Sequence, residues 1–464
     1  MEITGLYIDG YKNVRNTYLD LESQPIIALL APNNYGKSNL VEGIHRSFEL
    51  IKKTESPLFE YLTKKFFNYT NEIADLKYSP FEFWVEFILT SDDGIEKRKY
   101  KYELVIEPKV KQLSLSTKGN EKATVVCSAE IKREQLTRVD GKETVLFKRM
   151  PGFAVKVFTG NTSINLTMSP TSRRCKYKCD GSEGCHQPIC PSLFLNKLGG
   201  LIDIAENAGN TWVSLHRETI NEIGNVMMNL TSGDYELSLI SSGDYGEYKS
   251  EEDIEKHIAE LLDTETFENF ANTFEKIFDY YKITSAYIKN KPSAVFNDTR
   301  RKLPNGECLR EYTGTLSFGT RRVFKLLSQV YSSAAPLVSI EDIENGLNPR
   351  QYREFIKGLS SALENANDKQ RLIITTHSPG IIDVFSSSLE AIYIGLPSAG
   401  KKAEAEFRRL SKTGIDKISQ LIRKSTEFLN AGSYLFSLCL EDFTEDEVEE
   451  NGWYESAAKN PNKE

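Results

Sequence analysis

A short loop between an apolar run and a helical pattern places the strongest constraint on the fold. Positions 31–38 read APNNYGKS and meet seven of the eight positions of the pattern G-x-x-x-x-G-K-[ST], with Ala31 in place of the first glycine. The apolar run at 25–30 is typical of a strand buried on both faces. Leu40 and Ile44 begin a spacing typical of a helix. Strand, loop and helix in this order predict a phosphate-binding turn.

The residue types of this loop suit a nucleoside triphosphate. Backbone N–H groups at a helix N-terminus attract phosphate, and Gly36 lets the backbone approach it closely. Lys37 supplies a positive charge to the β- and γ-phosphates, and Ser38 supplies a hydroxyl to Mg²⁺. We therefore expect ATP and Mg²⁺ as cofactors. The residues expected to hold the nucleotide here are Asn33, Asn34, Tyr35, Gly36, Lys37, Ser38 and Asn39.

The remaining patterns predict an α/β fold. Residues 80–160 carry the aromatic and β-branched enrichment of strands. Residues 251–282 keep the apolar spacing of a helix. The last third alternates strands at 336–340, 371–376 and 391–396 with a helix at 350–365. Alternation of this kind favours a parallel sheet.

Three further motifs carry candidate chemistry. The strand at 337–340 is followed by two carboxylates, Glu341 and Asp342, where a nucleoside triphosphatase needs a ligand for Mg²⁺. The sequence LSFGT at 316–320 precedes a helix that we expect to begin at Arg321. An exposed helix N-terminus with a small residue and glycine accepts an anion.

The third of these motifs is an apolar strand that ends in THSP, with the histidine at position 377. A histidine at a strand end is often structural, so order and spacing matter more than the residue itself. Ser317 precedes Glu341 by 24 residues, and Glu341 precedes His377 by 36.

The four motifs together resemble the heads of ABC-type ATPases of the SMC/RecF/OLD-like group. The resemblance implies that Glu341 contacts Mg²⁺, that Asp342 activates the attacking water and that His377 contacts the γ-phosphate or that water. It also implies that Ser317 and Gly319 cap the γ-phosphate of ATP bound to a second subunit. A homo-oligomer with ATP sandwiched between heads is therefore expected, with the segment 344–347 crossing the interface.

The sequence departs from the family pattern at several positions. Ile343 stands where the pattern has proline, and Asn348 where it has histidine. Asp342 is one methylene shorter than the expected glutamate, which favours slow hydrolysis and the use of ATP as a switch. No glutamine lies between residues 40 and 111, so the Q-loop residue is not assigned.

Four cysteines lie close together in a polar, glycine-containing segment. They are Cys175, Cys179, Cys185 and Cys190, with His186 beside the third. Tetrahedral Zn²⁺ is the favoured interpretation, as a closed structural knuckle. The spacings depart from the usual C-x2-C pairs, so a free thiol cluster and disulfides remain as alternatives.

The motif positions predict how the chain is organised, because both ends contribute to one ATPase core. We expect an N-terminal ATPase lobe with a β-rich segment at 1–160 and an inserted region with helices and the cysteine cluster at 161–305. A C-terminal ATPase lobe at 306–410 and a helix with an acidic tail at 411–464 complete the expected order. Residues 441–450 hold seven acids.

Composition narrows the cellular setting. The 464 residues carry a formal net charge of −8, which argues against a wholly basic nucleic-acid binder. Residues 95–150 hold 14 Lys/Arg against 8 Asp/Glu, which fits a solvated sheet face or, alternatively, a patch for a polyanion. No apolar stretch suits a membrane span, and the start of the chain has no secretion signal, so a cytoplasmic location is expected.

Three functions follow from the resemblance. The first is an ATP-driven switch subunit of a bacterial anti-phage defence complex, as in Septu-type, PARIS-type and retron-associated systems, acting on a separate HNH or TOPRIM nuclease. Only 87 residues follow His377, and they lack a convincing Glu plus Asp-x-Asp set, so no nuclease is expected in this chain. The second is a RecF-type repair ATPase that binds DNA directly. The third, a transporter ATPase, fits less well because the chain is longer and lacks a recognisable Q-loop.

Overall fold

The computed structural model describes residues 2–33, 35–52, 66–67, 79–90, 97–114, 122–139, 141, 143–149, 154–159, 162–167, 227–230, 237–238, 247–248, 266–288, 291–332, 336–365, 370–398, 401–416 and 418. The cysteine cluster at 175–190, the acidic segment at 441–450 and Asn34 lie outside these residues.

Nineteen strands and five helices are described. The strands are β1 (Glu2–Asp9), β2 (Thr17–Asp20), β3 (Ile26–Leu30), β4 (Phe81–Thr90), β5 (Lys97–Ser114), β6 (Lys122–Arg138), β7 (Thr144–Arg149), β8 (Ala154–Thr159), β9 (Thr162–Thr167), β10 (Met227–Leu230), β11 (Leu237–Ser238), β12 (Glu247–Tyr248), β13 (Tyr281–Ile288), β14 (Lys291–Lys302), β15 (Cys308–Tyr312), β16 (Leu337–Ile340), β17 (Arg371–Thr376), β18 (Ile392–Ser398) and β19 (Lys401–Arg409). The helices are α1 (Lys37–Lys52), α2 (Thr266–Ile277), α3 (Phe318–Ser332), α4 (Pro349–Asn365) and α5 (Ile381–Val384).

A six-stranded mixed sheet carries the sequence motifs. Its order is β10-β16-β17-β3-β18-β19, parallel except for the antiparallel edge strand β19. Every residue of β3, β16 and β17 is buried, as expected for strands covered on both faces. The α/β fold predicted from the sequence is therefore confirmed. Because neighbouring parallel strands end at the same edge, the loops after these three strands leave the sheet side by side.

The two faces of this sheet pack against different layers. Ile27 and Leu29 of β3 join a core with α1 and the long antiparallel strands. Ile26, Ala28 and Leu30 of the same strand join a second core with α2, α3 and α4. Alternate residues of one strand therefore anchor both layers, which is the expected consequence of the two-residue period of a strand.

The first layer is an eight-stranded antiparallel sheet of order β2-β1-β4-β5-β6-β7-β8-β9. It confirms the strands predicted within residues 80–160. Its core face includes Phe81, Phe83, Tyr100 and Tyr102, all essentially inaccessible to solvent. Because Phe48 of α1 packs edge-on against Phe83, the helix that follows the phosphate loop lies between the two sheets.

The second layer is helical and aromatic. Phe270 and Phe274 of α2 contact Phe324 of α3 through edge-on ring pairs. The helix predicted over residues 251–282 differs in the described part, where α2 ends at Ile277 and residues 281–282 already belong to β13. The apolar spacing continues past the helix because β13 also faces this core, with Tyr281 and Ile283 buried.

A three-stranded antiparallel sheet, β13-β14-β15, leads into the LSFGT segment. Pairs such as Val295–Tyr312 and Asp298–Leu309 join β14 to β15. A short 3-10 turn at Thr313–Thr315 then connects β15 to α3.

Among the described helices, none is both long enough and apolar enough to cross a membrane.

Candidate functional site

The phosphate loop lies at the end of the central strand. β3 ends at Leu30, α1 begins at Lys37, and Gly36 between them has φ +84°. A Cβ on Gly36 would approach Oδ1 of Asn13 to 2.9 Å, so a side chain here would be strained by both conformation and space. Ala31 is not among the residues with positive φ, which explains why alanine is tolerated at the first glycine position.

Lys37 is buried inside its own loop. Its Nζ donates to the carbonyl oxygens of Ala31 at 2.7 Å and Pro32 at 3.0 Å. Burial lowers the pKa of Lys37, and the negative charges of Asp342 and Glu344 oppose that shift. The lysine is therefore close enough to the acidic loop after β16 to interact with its carboxylates.

The turn between β1 and β2 supports the phosphate loop, and sequence reasoning missed this. Asn13 accepts a hydrogen bond from Nδ2 of Asn39 at 2.7 Å. Lys12 donates to Glu42 at 2.5 Å and to Oδ1 of Asn39 at 3.3 Å, across to α1. These contacts join residues 26 to 30 positions apart, and no local pattern predicts them.

The acidic loop follows β16 and is tied to the end of β17. Glu341 and Asp342 are half-buried. The backbone N–H of Asp342 donates to Thr375 Oγ1 at 2.9 Å, and Asp342 has φ +45°, which is uncommon outside glycine. Ile343 is fully buried, and its N–H donates to the Thr375 carbonyl at 3.1 Å. A proline at position 343 could not make this bond, which gives a physical reason for the departure from the family pattern.

Arg322 of α3 connects the helix to the acidic loop. The guanidinium donates to the carbonyl oxygens of Asn345 at 2.7 Å, Asp342 at 3.0 Å, and Glu341 and Ile343 at 3.2 Å each. Arg322 is only 8% exposed, and burial lowers its pKa to about 10 while the nearby carboxylates oppose the shift. No sequence motif predicted this contact, because it joins segments about twenty residues apart.

The LSFGT segment forms the start of α3. The helix begins at Phe318, so the predicted start at Arg321 is wrong. The cause is local: Ser317 Oγ lies 2.8 Å from Thr320 Oγ1 and accepts a long bond from its N–H, which caps the helix one turn earlier. Phe318 is 60% exposed.

Backbone packing joins α3 to the acidic loop a second time. A Cβ on Gly319 would lie 2.0 Å from the carbonyl oxygen of Gly346, so the two backbone segments touch directly. Gly346 has φ +77°. We call residues 316–322 and 341–346, held together by Arg322 and these glycines, the signature joint. It links the segment that carries the predicted Ser317 and Gly319 to the loop that carries Glu341 and Asp342.

His377 follows β17 and pairs with the acidic loop. Its backbone N–H and its Nδ1 both lie against Oε1 of Glu344, at 2.9 Å and 2.8 Å. The His377 side chain is 46% exposed and that of Glu344 is 14% exposed. The pairing was not predicted, since Glu344 was assigned only to the loop that crosses the dimer interface.

The site is assembled by three neighbouring strands. Leu30 of β3 is in register with Thr376 of β17, and Ile340 of β16 with Ile374 of β17. The loops that carry Lys37, Glu341 and His377 therefore leave one edge of the sheet. Hydroxyl and carboxylate oxygens are the ligands that Mg²⁺ prefers, so Ser38 and Glu341 fit this ion. A glycine with positive φ directly before the N-terminus of α1 fits a phosphate.

The cysteine site stays a prediction, because the four cysteines lie outside the described residues. Within the part of the chain that the structure covers, no group of three or more His, Cys, Asp or Glu side chains is arranged to hold a metal ion.

Three solved structures resemble the chain at low identity. They are the SMC head domain from Thermotoga maritima (11% identity, TM-score 0.37, covering 89% of this chain and 100% of that one), an Smc head bound to the C-winged helix domain of ScpA (11%, 0.42, 89% and 99%), and an Smc head with an extended coiled coil bound to the C-terminal domain of ScpA, derived from Pyrococcus furiosus (12%, 0.37, 91% and 100%). At these TM-scores the fold is judged on the topology of this chain alone. No curated protein matches the chain.

A family match covers part of the site. Residues 249–383 match the family described as "AAA domain, putative AbiEii toxin, Type IV TA system". The matched segment contains Ser317, Glu341, Asp342 and His377, while the phosphate loop lies outside it. Over residues 249–383 the chain is thus similar to this AAA domain family, and the match supports an AAA-type ATPase, consistent with the SMC/RecF-like ABC-type group that the motifs resemble.

Proposed function

We propose that the protein binds and hydrolyses ATP at the C-terminal ends of β3, β16 and β17 in the six-stranded sheet. The observation that carries the proposal is the meeting of three loops there, after β3, β16 and β17. These loops supply a phosphate-binding backbone with Lys37, a pair of carboxylates, and a histidine. Ligands in open α/β sheets bind at this edge.

Each residue has a role in the proposed reaction. Lys37 and the N–H groups around Gly36 hold the phosphates, and Ser38 with Glu341 would hold Mg²⁺, which neutralises charge on the transferred phosphoryl group. Asp342 accepts the proton of the attacking water. His377 contacts the γ-phosphate. The shorter side chain of Asp342 puts its carboxylate farther from the water, so turnover is slow.

Two copies of the chain complete the site in this proposal. Ser317 and the start of α3 face the nucleotide of the second copy, because a helix N-terminus stabilises a phosphate. Support comes from the signature joint: Arg322 and Gly319 tie α3 to the acidic loop, so engagement of Ser317 is transmitted to Asp342. ATP binding would then join the heads.

The wider role we propose is that of a switch subunit in a bacterial anti-phage defence complex, located in the cytoplasm. Head engagement would hold or activate a separate HNH or TOPRIM nuclease. Support comes from the family description, which names a toxin of a toxin–antitoxin system.

A Zn²⁺ knuckle at Cys175–Cys190 would serve as a docking or sensing element in this complex. Elemental analysis that finds no zinc in the purified protein would contradict the knuckle. Co-purification of the neighbouring nuclease with and without ATP tests the partnership, and an HNH or TOPRIM protein that never binds would contradict it.

The alternative is a RecF-like ATPase that binds DNA directly. It would need a continuous basic path for DNA, and the basic segment at 95–150 has a balance of only +6. Several of its cations are neutralised where the structure describes them. Lys99 pairs with Glu86 and Glu22, and Arg133 pairs with Glu82. Lys101 and Lys132 also have glutamate partners. These pairs favour the solvated sheet face, and tight ATP-dependent DNA binding by the purified protein would reverse that preference.

A paired experiment tests binding and engagement. Lys37→Ala should abolish ATP binding in calorimetry, with the exposed Lys357→Ala as the matched control. Ser317→Arg should retain ATP binding but lose ATP-dependent oligomers in mass photometry, because it fills the face that meets the second copy. Unchanged affinity in Lys37→Ala would refute the phosphate-loop assignment, and persistent oligomers in Ser317→Arg would refute the proposed interface.

A further inference from the structure

Glu344 has no task in the reaction proposed above, although it contacts a residue that does. We propose that Glu344 is a positioning residue that holds the His377 ring in one orientation and in the Nδ1–H tautomer. The inference rests on the proposed function, since it gives His377 its geometry at the γ-phosphate, but the contact itself is a property of the protein without nucleotide.

The contact is doubly anchored. One carboxylate oxygen, Oε1, accepts from the backbone N–H of His377 at 2.9 Å and lies 2.8 Å from its Nδ1. The backbone bond sets the position of the histidine, and the side-chain bond sets the rotation of the ring. Because an ionised carboxylate only accepts hydrogen bonds, Nδ1 must carry the proton. Nε2 is then the nitrogen left for a ligand, as in the carboxylate–histidine pairs that orient catalytic imidazoles.

The carboxylate of Glu344 lies close to groups of neighbouring elements. Glu344 is 14% exposed, and among the described residues its second oxygen, Oε2, is buried without a hydrogen-bond partner. Tyr352 of α4 lies close by, and its pKa is raised by burial and also by the charge of Glu344. The same charge acts on Lys37 of the phosphate loop. Glu344 therefore sits where the loops after β3, β16 and β17 converge.

An acceptor that contacts both the backbone N–H and the ring suits positioning better than simple loop support. An acceptor for the His377 backbone N–H alone would leave the ring free to rotate toward solvent, where nearly half of its surface already lies. The second contact, to Nδ1, restricts the ring. Removing the hydrogen-bond partner of a metal-bound histidine typically changes affinity or activity by about 10–100-fold, and we expect an effect at the lower end of this range for His377.

The first test reads the tautomer directly, in the full-length protein without nucleotide. With ¹⁵N-labelled histidine, long-range ¹H–¹⁵N spectra resolve the two nitrogens of each ring; the sequence contains five histidines, and His377→Gln identifies the signal. We expect the Nδ1–H tautomer in the wild type and in Glu344→Gln, whose amide oxygen still accepts. Glu344→Ala should shift the ring to the Nε2–H tautomer. An unchanged tautomer in Glu344→Ala, or an Nε2–H ring in the wild type, would overturn the inference.

The second test uses turnover. Glu344→Ala should lower kcat about tenfold with little change in KM, and Glu344→Gln should restore part of the loss. The double variant Glu344→Ala with His377→Ala should be no slower than His377→Ala alone, because both changes remove one unit. Glu354→Ala, a helical glutamate paired with Lys357, is the matched control. Additive losses would contradict the positioning role, whereas a wild type without ATPase activity would refute the proposed function and leave the spectra to decide Glu344.

Discussion

The phosphate loop and the signature joint both contain short motifs, but they are held in different ways. In the phosphate loop, Lys37 bonds to carbonyls five and six residues earlier, and the helix begins within the motif itself. In the signature joint, Arg322 bonds to four carbonyls about twenty residues later in the chain. The phosphate loop is held by bonds within its own motif, whereas the signature joint forms only when α3 packs against the acidic loop after β16.

The difference shows what a motif can and cannot report. The phosphate loop needs glycine at one φ and a strand and helix on either side, and all of these are visible in the residues. The signature joint needs two backbones to fit against each other. Gly319 can be recognised in the sequence as part of the LSFGT motif, but its contact with the Gly346 carbonyl depends on where α3 lies.

Arg322→Ala is expected to cause the largest loss of stability, and it tests whether the signature joint depends on this arginine. Removing the guanidinium takes a donor from four carbonyls, of which that of Asp342 also accepts a backbone bond, from the N–H of Asn345. A buried polar group left unsatisfied costs about 1–3 kcal/mol. Because the four bonds share one donor and are not additive, we expect a loss of roughly 3 kcal/mol or more in the free energy of unfolding, measured in urea. The exposed Arg353→Ala is the control. Equal stability of the two variants would mean that Arg322 does not hold the joint.

A smaller effect is expected from Gly319→Ala. The new methyl group would need the Gly346 carbonyl to move, and overpacking of this kind costs about 1–3 kcal/mol. Gly314→Ala lies in the same stretch and meets nothing within 4 Å, so it should be neutral. ATP-dependent oligomers should weaken in Gly319→Ala while ATP affinity stays. If both variants assemble alike, the joint does not transmit engagement.

The smallest effect is expected from Asn13→Ala, which tests the outside support of the phosphate loop. It removes one side-chain bond to Asn39, worth about 1 kcal/mol, so ATP affinity in calorimetry should fall about fivefold. Asn297→Ala, on the exposed β13–β14 pair, serves as the control. A loss as large as that of Lys37→Ala would show that the phosphate loop depends on outside contacts as much as the signature joint does.

Much of the fold could be predicted from the sequence because its signals are local. Runs of apolar residues predicted β3, β16 and β17, and helical spacing predicted α1 and α4. The ends of the helices were predicted less accurately. The end of α2 was missed because the apolar pattern continues into β13, and the start of α3 was missed because Ser317 caps it one turn early.

The residues of the candidate site also fall into two groups, those that local patterns predicted and those that they did not. Its motifs, from Lys37 to His377, were found from residue types and their order along the chain. Glu344, Arg322 and Asn13 were not, since each acts through partners between 19 and 33 residues away. Nothing in the local pattern marks an arginine that will bond to carbonyls, or a glutamate that will accept from a histidine.

The sequence by itself determined the chemistry that the edge of the sheet can offer: a phosphate loop, two carboxylates and a histidine, in an order that resembles ATPase heads. Only the tertiary structure decided how these groups are held. Strand order brings β16, β17 and β3 side by side, and helix packing sets Arg322 and Gly319 against the acidic loop. The physical reason is that chemistry resides in side chains, whereas their geometry is set by contacts between segments that are distant in the chain.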